Sequence, residues 1–209
     1  VGMETVRIGI IGYGKMGSQH AKAFAAGKIP NGVLTAVADC NPARIAIAKE
    51  TLDATIAIFN NASDLIESGS CDAIIPTVPH YYHPVLAIQA FKAGLHVLCE
   101  KPAGVYAKQV KEMNAVAEKS GKVFGIMLNQ RTNPLYQKAR ELVRDGSLGR
   151  IIHANWIITS WFRAQSYYDS SSWRATWTGE GGGVLLNQNP HNLDLWQWIL
   201  GMPSKVKAT

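Results

Sequence analysis

Gly12-Tyr13-Gly14-Lys15-Met16-Gly17 is the stretch whose reading decides the fold. It follows an apolar run, Val6 and Ile8 to Ile11, and leads into residues 18–27, which read as a helix closed by the C-cap glycine Gly27. A GxGxxG between a strand and a helix has a physical meaning. Gly12 permits the tight turn, Gly14 lets the backbone approach a pyrophosphate, and Gly17 lets helix and strand pack closely. The helix N-terminus then faces the phosphates. Outside that context the same glycines mark no more than a tight turn.

The next apolar run, Val33-Leu34-Thr35-Ala36-Val37-Ala38, ends in Asp39, 22 residues beyond Gly17. That spacing suits a carboxylate that accepts hydrogen bonds from both ribose hydroxyls and repels a 2′-phosphate, so NAD is favoured over NADP. The alternative for Asp39 is a turn cap ahead of Pro42. Asn41 opens a helix over 42–51. A short strand over 57–59 and a short helix over 63–67 follow. The strand 72–78 contains Pro76, which cannot donate to a ladder and so belongs at or near its end. Pro84 opens a helix over 85–93, ended by Gly94. The strand 96–100, a helix over 108–119 closed by Gly121, and a strand over 123–128 complete an alternation that specifies a parallel, doubly wound α/β sheet of the Rossmann type. Ligand chemistry belongs at the carboxyl ends of its strands.

Beyond residue 128 the pattern changes. Residues 133–145 read as one amphipathic helix, with Leu135, Ala139, Leu142 and Val143 on a common face. Residues 151–162 form a long β-prone run. Residues 163–178 are polar and aromatic without a clear period, and Glu180-Gly181-Gly182-Gly183 leads into an apolar segment ending at Gly201. Residues 1–128 are therefore expected to be the NAD-binding domain, and 129–209 the start of an α+β substrate and oligomerisation domain with a large open sheet. One long strand cannot bury its face alone, so that second domain is expected to be truncated in this chain.

The 209 residues are 47 % hydrophobic and 17 % charged, the composition of a globular protein with room for one large or two small cores. No apolar run is long enough to span a bilayer, and a cytoplasmic location is the expectation. The net charge of +6 is spread along the chain, without the clustered footprint of a nucleic-acid binder. It suits an anionic cofactor. Cys40, Cys71 and Cys99 lie in or beside apolar runs and read as small core residues. They have no metal-ligand spacing, and no metal is expected.

Two further stretches carry a resemblance: Val97-Leu98-Cys99-Glu100-Lys101-Pro102, preceded by Thr77-Val78-Pro79-His80 and His83, and residues 181–194, Gly-Gly-Gly-Val-Leu-Leu-Asn-Gln-Asn-Pro-His-Asn-Leu-Asp. With the glycine turn, these resemble the glucose–fructose oxidoreductase, inositol dehydrogenase and rhizopine-catabolism (Gfo/Idh/MocA) family, over nearly the whole chain. The Glu-Lys-Pro after its strand is the most specific element. The resemblance implies an enzyme that oxidises or reduces a secondary alcohol on a sugar, cyclitol or sugar derivative, and a homodimer or homotetramer. It places Lys101 near the reacting hydroxyl, with His191 close by and Asp194 as the second acid of a D-x-x-x-H-x-x-D stretch. The expected cofactor-binding set is Gly12, Tyr13, Gly14, Lys15, Met16, Gly17, Asp39, Val78, Pro79, His80, His83, Glu100 and Lys101. In one respect the chain departs from the family pattern. The first acid of that stretch is Asn187 and a glycine two residues on is Asn189, which weakens an assignment as inositol dehydrogenase.

Alcohol oxidation needs a hydride acceptor, a base for the hydroxyl proton and a fixed orientation. Lys101 is the expected proton carrier and His191 its partner or the alternative base. Asn187 cannot act as a base but can orient a hydroxyl. Asn187, His191 and Asp194 share one helical face if the helix runs through Pro190. If the helix starts at Pro190, only His191 and Asp194 do. Leu193, Trp196 and Leu200 fall on another face that suits the core. Arg131, Trp161, Arg163, Tyr167, Trp173 and Arg174 are the candidate substrate contacts, the tryptophans for sugar faces and the arginines for a carboxylate or phosphate. A sugar-nucleotide 3-dehydrogenase or an aldose–aldose oxidoreductase with retained cofactor is the alternative within the enzyme class. A non-catalytic NAD(P)-binding sensor is the alternative outside it.

Overall fold

The computed structural model describes residues 4–159 and 162–207, and the chain divides into two compact units after Met127. The first unit alternates strands and helices: β1 Val6–Ile11, α1 Lys15–Ala25, β2 Gly32–Ala38, α2 Pro42–Thr51, β3 Ala57–Phe59, α3 Ala62–Glu67, β4 Ala73–Pro76, α4 Tyr82–Lys92, β5 His96–Cys99, α5 Ala107–Ser120 and β6 Phe124–Ile126. The strands form one six-stranded sheet in the order β3-β2-β1-β4-β5-β6, every neighbouring pair parallel. This is the doubly wound Rossmann arrangement. The strand order reverses between β1 and β4, which opens a crevice beyond their carboxyl ends.

The strands are apolar runs because helices cover both faces of the sheet. The pleat sends alternate residues to opposite sides. Ile10, Val37 and Ile75 pack with Tyr13, Ala21 and Ala48. Ile11, Ala38 and Ile74 pack with Leu65, Phe91, Val97 and Met113. Pro76 is the last residue of β4, where its missing N–H removes no ladder bond from the strand interior. Asn41 caps α2 by accepting from the Ala43 N–H at 2.9 Å.

Three local expectations are corrected in this unit. The helix after the glycine turn starts at Lys15 rather than at residue 18. α4 starts at Tyr82 rather than after Pro84, because a proline in the first turn has no intrahelical N–H partner to lose. Cys71 and Cys99 are buried, but Cys40, in the connection after β2, is exposed rather than a core residue. Burial pushes the Cys99 thiol up to about 12.

In the second unit a 3₁₀ turn, Asn129–Thr132, precedes α6 Pro134–Arg144, α7 Gln165–Asp169, α8 Val184–Asn187 and α9 Pro190–Leu200. Asn133 caps α6 by accepting from the Leu135 N–H at 3.0 Å. The β-prone run differs from expectation: residues 151–159 form no strand, and no large sheet forms among the described residues of this unit. A strand is held by a hydrogen-bonded neighbour, and no described segment here supplies one. The run is instead anchored by Trp156, whose ring lies 5.9 Å from Tyr136 and 6.3 Å from Trp196.

The helix faces shift accordingly. Leu135 is 77 % exposed and Leu193 is exposed, while Leu195 is fully buried. Polar and aromatic contacts join the elements: Arg140 Nε donates to the Trp198 carbonyl at 3.0 Å, and its guanidinium lies 4.3 Å over the Trp198 ring. On α9, Asp194 meets Arg131, Trp198 meets Arg140, Trp196 lies beside Trp156, and Leu195 is buried. α9 starts at Pro190, so Asn187 lies outside it, on α8. Only His191 and Asp194 share the α9 face.

Candidate active site

The carboxyl ends of β1, β2, β4 and β5 bring the glycine turn, Asp39, Thr77 and Glu100-Lys101 to one edge of the sheet. Gly12 has φ +97°, and a Cβ there would sit 2.8 Å from the Thr77 carbonyl oxygen. A Cβ on Gly17 would meet the Gly12 oxygen at 1.9 Å, so helix and turn touch backbone to backbone. Around Gly14, by contrast, a Cβ would find no atom within 4 Å. The turn is closed behind and open in front, as a pyrophosphate cradle must be. Thr77 pins it, its Oγ1 donating to the Gly12 oxygen at 2.6 Å.

Asp39 Oδ2 accepts from the Tyr13 N–H at 2.6 Å and Oδ1 from the Asn41 N–H at 2.8 Å. Asp39 thus caps the turn after β2 and is fixed against the glycine turn at the same time. A carboxylate has about four lone-pair sites, so acceptor capacity remains for ribose hydroxyls. Tyr13 contributes its backbone here. Its side chain packs in the core, with its hydroxyl 3.0 Å from Thr51 Oγ1. Lys15 and Met16 are exposed at the start of α1.

On the other side of the crevice, Val78 packs against the core, and Pro79 leads to the buried His80. The His80 ring lies 6.0 Å from that of His83, which is 1 % exposed. His83 Nδ1 lies 2.7 Å from the Pro102 oxygen and Nε2 2.8 Å from the Val78 oxygen. It bridges the segment after β4 to the Glu-Lys-Pro segment. Burial lowers its pKa, against the two carbonyls and Glu100, which raise it. Glu100 Oε2 accepts from the Lys101 N–H at 3.2 Å, and Oε1 lies 2.8 Å from His20 Nε2.

In the second unit, four of the candidate substrate residues gather. The Arg174 guanidinium lies 4.4 Å over Tyr167 and 4.7 Å over Trp173, and its Nη1 donates to the Tyr167 hydroxyl at 2.7 Å. Arg163 lies 5.0 Å over the same Tyr167 ring. Glu180, 5 % exposed, joins Asn187 to this group. It accepts from Asn187 Nδ2 at 2.6 Å and lies 3.5 Å from Arg174 Nη1. Arg131 lies elsewhere, in a two-point pair with Asp194 at 2.8 and 2.5 Å that raises the arginine pKa. Both carboxylate oxygens of Asp194 are thus engaged by Arg131. Trp161 lies outside the described residues.

Thr77, His20 and Glu180 had no role assigned from the sequence. Thr77 directly follows a strand of the crevice, which was the available signal. His20 and Glu180 are recognisable only through their partners.

The fold and the residues at the sheet edge define a dinucleotide-binding protein of the Rossmann class. The chain belongs to the GFO/IDH/MocA family: residues 6–128 match the oxidoreductase family with an NAD-binding Rossmann fold, and residues 136–209 match the GFO/IDH/MocA C-terminal domain. It is 30 % identical over 200 residues to the rhizopine catabolism protein MocA of Rhizobium meliloti, covering 95 % of this chain and 58 % of that protein. It is 28 % identical to the levoglucosan dehydrogenase of Pseudarthrobacter phenanthrenivorans, over 99 % of this chain and 54 % of that one. Among solved structures, the WlbA dehydrogenase of Bordetella pertussis, in complex with NADH and UDP-GlcNAcA, superposes with a TM-score of 0.83 at 28 % identity. That match covers 95 % of this chain and 59 % of WlbA. The chain thus spans a little over half the length of these relatives.

Proposed function

We propose that this chain carries the cofactor site and the proton-handling groups of an NAD-dependent oxidoreductase acting on a secondary alcohol of a sugar, cyclitol or sugar derivative. The observation that supports it most is the convergence on one sheet edge of the open glycine cradle, the anchored Asp39 and Lys101. When bound, the nicotinamide supplies the hydride acceptor. The chain's own residues do the rest. The amides of the glycine turn and the N-terminus of α1 hold phosphate, and Asp39 accepts from the ribose hydroxyls and disfavours a 2′-phosphate. Lys101 Nζ takes the hydroxyl proton, His191 assists as partner base, and Asn187, steadied by Glu180, orients a substrate hydroxyl.

A second reading, a sugar-nucleotide dehydrogenase, draws support from the WlbA complex and from Arg163 and Arg174 around Tyr167. A panel of inositols, aldoses, levoglucosan and UDP-sugar acids, read by NADH absorbance, tests both. Turnover of a free sugar or cyclitol supports the first reading, and turnover restricted to UDP-sugars the second. NADH binding without any turnover contradicts both and leaves a sensor.

A further inference from the structure

His20 lies on α1, the helix that follows the glycine turn, and it faces the Glu-Lys-Pro segment 80 residues away in sequence. Its Nε2 is 2.8 Å from Glu100 Oε1, with the two side chains 20 % and 10 % exposed. A carboxylate oxygen only accepts, so Nε2 carries the proton and donates. The other carboxylate oxygen accepts from the N–H of Lys101 at 3.2 Å. The Glu100 N–H itself reaches the Pro76 oxygen at 3.4 Å. Glu100 therefore folds over the end of β5 with each oxygen engaged by a different segment. Two such bonds select one side-chain rotamer, and that rotamer determines whether the Lys101 amide has its acceptor. Removing His20 frees the carboxylate to turn toward water, and the Lys101 peptide loses its acceptor.

We propose that His20 is a positioning residue for Lys101, acting through the Glu100 carboxylate, so that the helix facing the dinucleotide phosphates also sets the direction of the proton carrier. This rests on the reading of Lys101 as that carrier. Its consequence is mechanical: an α1 drawn against a bound dinucleotide carries His20, Glu100 and the Lys101 peptide with it. The connection runs within one unit, through two hydrogen bonds of the structure.

Hydrogen–deuterium exchange of the full chain, followed at the peptide containing Lys101, reads the connection without requiring turnover. His20→Ala is expected to speed exchange there about tenfold, the loss of a hydrogen bond to a charged group. The β1 peptide should keep its protection, and His20→Gln, which retains a donor, should recover most of it. Unchanged exchange at Lys101 in His20→Ala, or equal acceleration throughout the unit, overturns the proposal. In turnover assays His20→Ala is expected to lower kcat about tenfold or more with NADH affinity held within about twofold, and to cost nothing further in a Lys101→Ala background. An equal loss in both backgrounds contradicts the role. If no alcohol is turned over by the unaltered chain, the reading of Lys101 fails, while the exchange measurement still decides whether His20 holds its peptide.

Discussion

In the first unit the backbone does most of the joining: six strands share one ladder, and almost all the buried hydrophobic residues lie on its two faces. In the second, among the described residues, Leu195 is the one buried hydrophobic. Guanidinium groups join the elements instead, Arg131 to Asp194, Arg140 to Trp198 and Arg174 to Tyr167 and Trp173. A paired sheet holds loop ends rigidly, which suits the glycine cradle and Lys101. Arginine–aromatic contacts are directional and individually modest, about 0.5–2 kcal/mol each, which suits a surface that adapts to polar ligands. We propose a division of labour on this ground: chemistry on the rigid edge, recognition on the polar cluster.

That division is tested most severely at Lys101. Lys101→Ala is expected to lower turnover about 10²–10⁴-fold with NADH binding nearly unchanged. His191→Ala should cost the same or less, and Asn187→Ala should act mainly on substrate affinity. Near-normal turnover of Lys101→Ala across the pH range would promote His191 to sole base and move the chemistry to the second unit.

A pair of glycines compares the rigidity of the two units. A Cβ on Gly17 meets backbone oxygen at 1.9 Å, and one on Gly179 meets the Trp173 oxygen at 2.1 Å. Gly17→Ala is expected to cost about 3 kcal/mol or more, because neither the turn nor the sheet edge can retreat. That corresponds to a fall of roughly 6–12 °C in Tm for a chain of this size. Gly179→Ala, among loops, should cost clearly less. Equal losses would show the second unit to be as unyielding as the first.

Arg131→Ala tests whether ion pairing organises α9. It leaves the Asp194 carboxylate, 9 % exposed, without its cation. Since Arg131 is 41 % exposed, solvent screens the pair, and we expect about 1–3 kcal/mol rather than the full cost of a buried pair. Asp194→Asn in the same background should recover part of the loss, read by thermal melts.

The smallest expected effect belongs to His83. Its pKa is lowered from 6.5, first by burial. The folded state therefore holds fewer protons than the unfolded chain, and the contribution of neutral His83 is full above 6.5. It is lost as pH falls through the lowered folded value, at no more than about 1.4 kcal/mol per pH unit. Thermal melts between about pH 7 and pH 5 should fall more steeply in the unaltered chain than in His83→Gln. Parallel curves would contradict this.

Much of the first unit was legible because its strands are short apolar runs, several of them ended by Gly, Pro or Asn, and because α2 and α3 open on the caps Asn41 and Asn61. Such signals act within a few residues. His20 with Glu100, and Glu180 with Asn187, were not legible, because nothing local marks a histidine or glutamate whose meaning is its distant partner. In the second unit, periodicity pointed to Leu135 and Leu193 as core. The arginine and tryptophan contacts turned the helices to other faces. The β propensity of residues 151–159 was real in composition, but propensity yields where no described segment supplies a pairing neighbour.

The central claim is that the sheet edge of the first unit binds a dinucleotide and that Asp39 makes it NAD. Fluorescence titration of the full chain with NADH and NADPH at equal salt tests it most directly. We expect tighter binding of NADH, with Asp39→Ala narrowing the gap. Tighter binding of NADPH, or binding of neither, would contradict it.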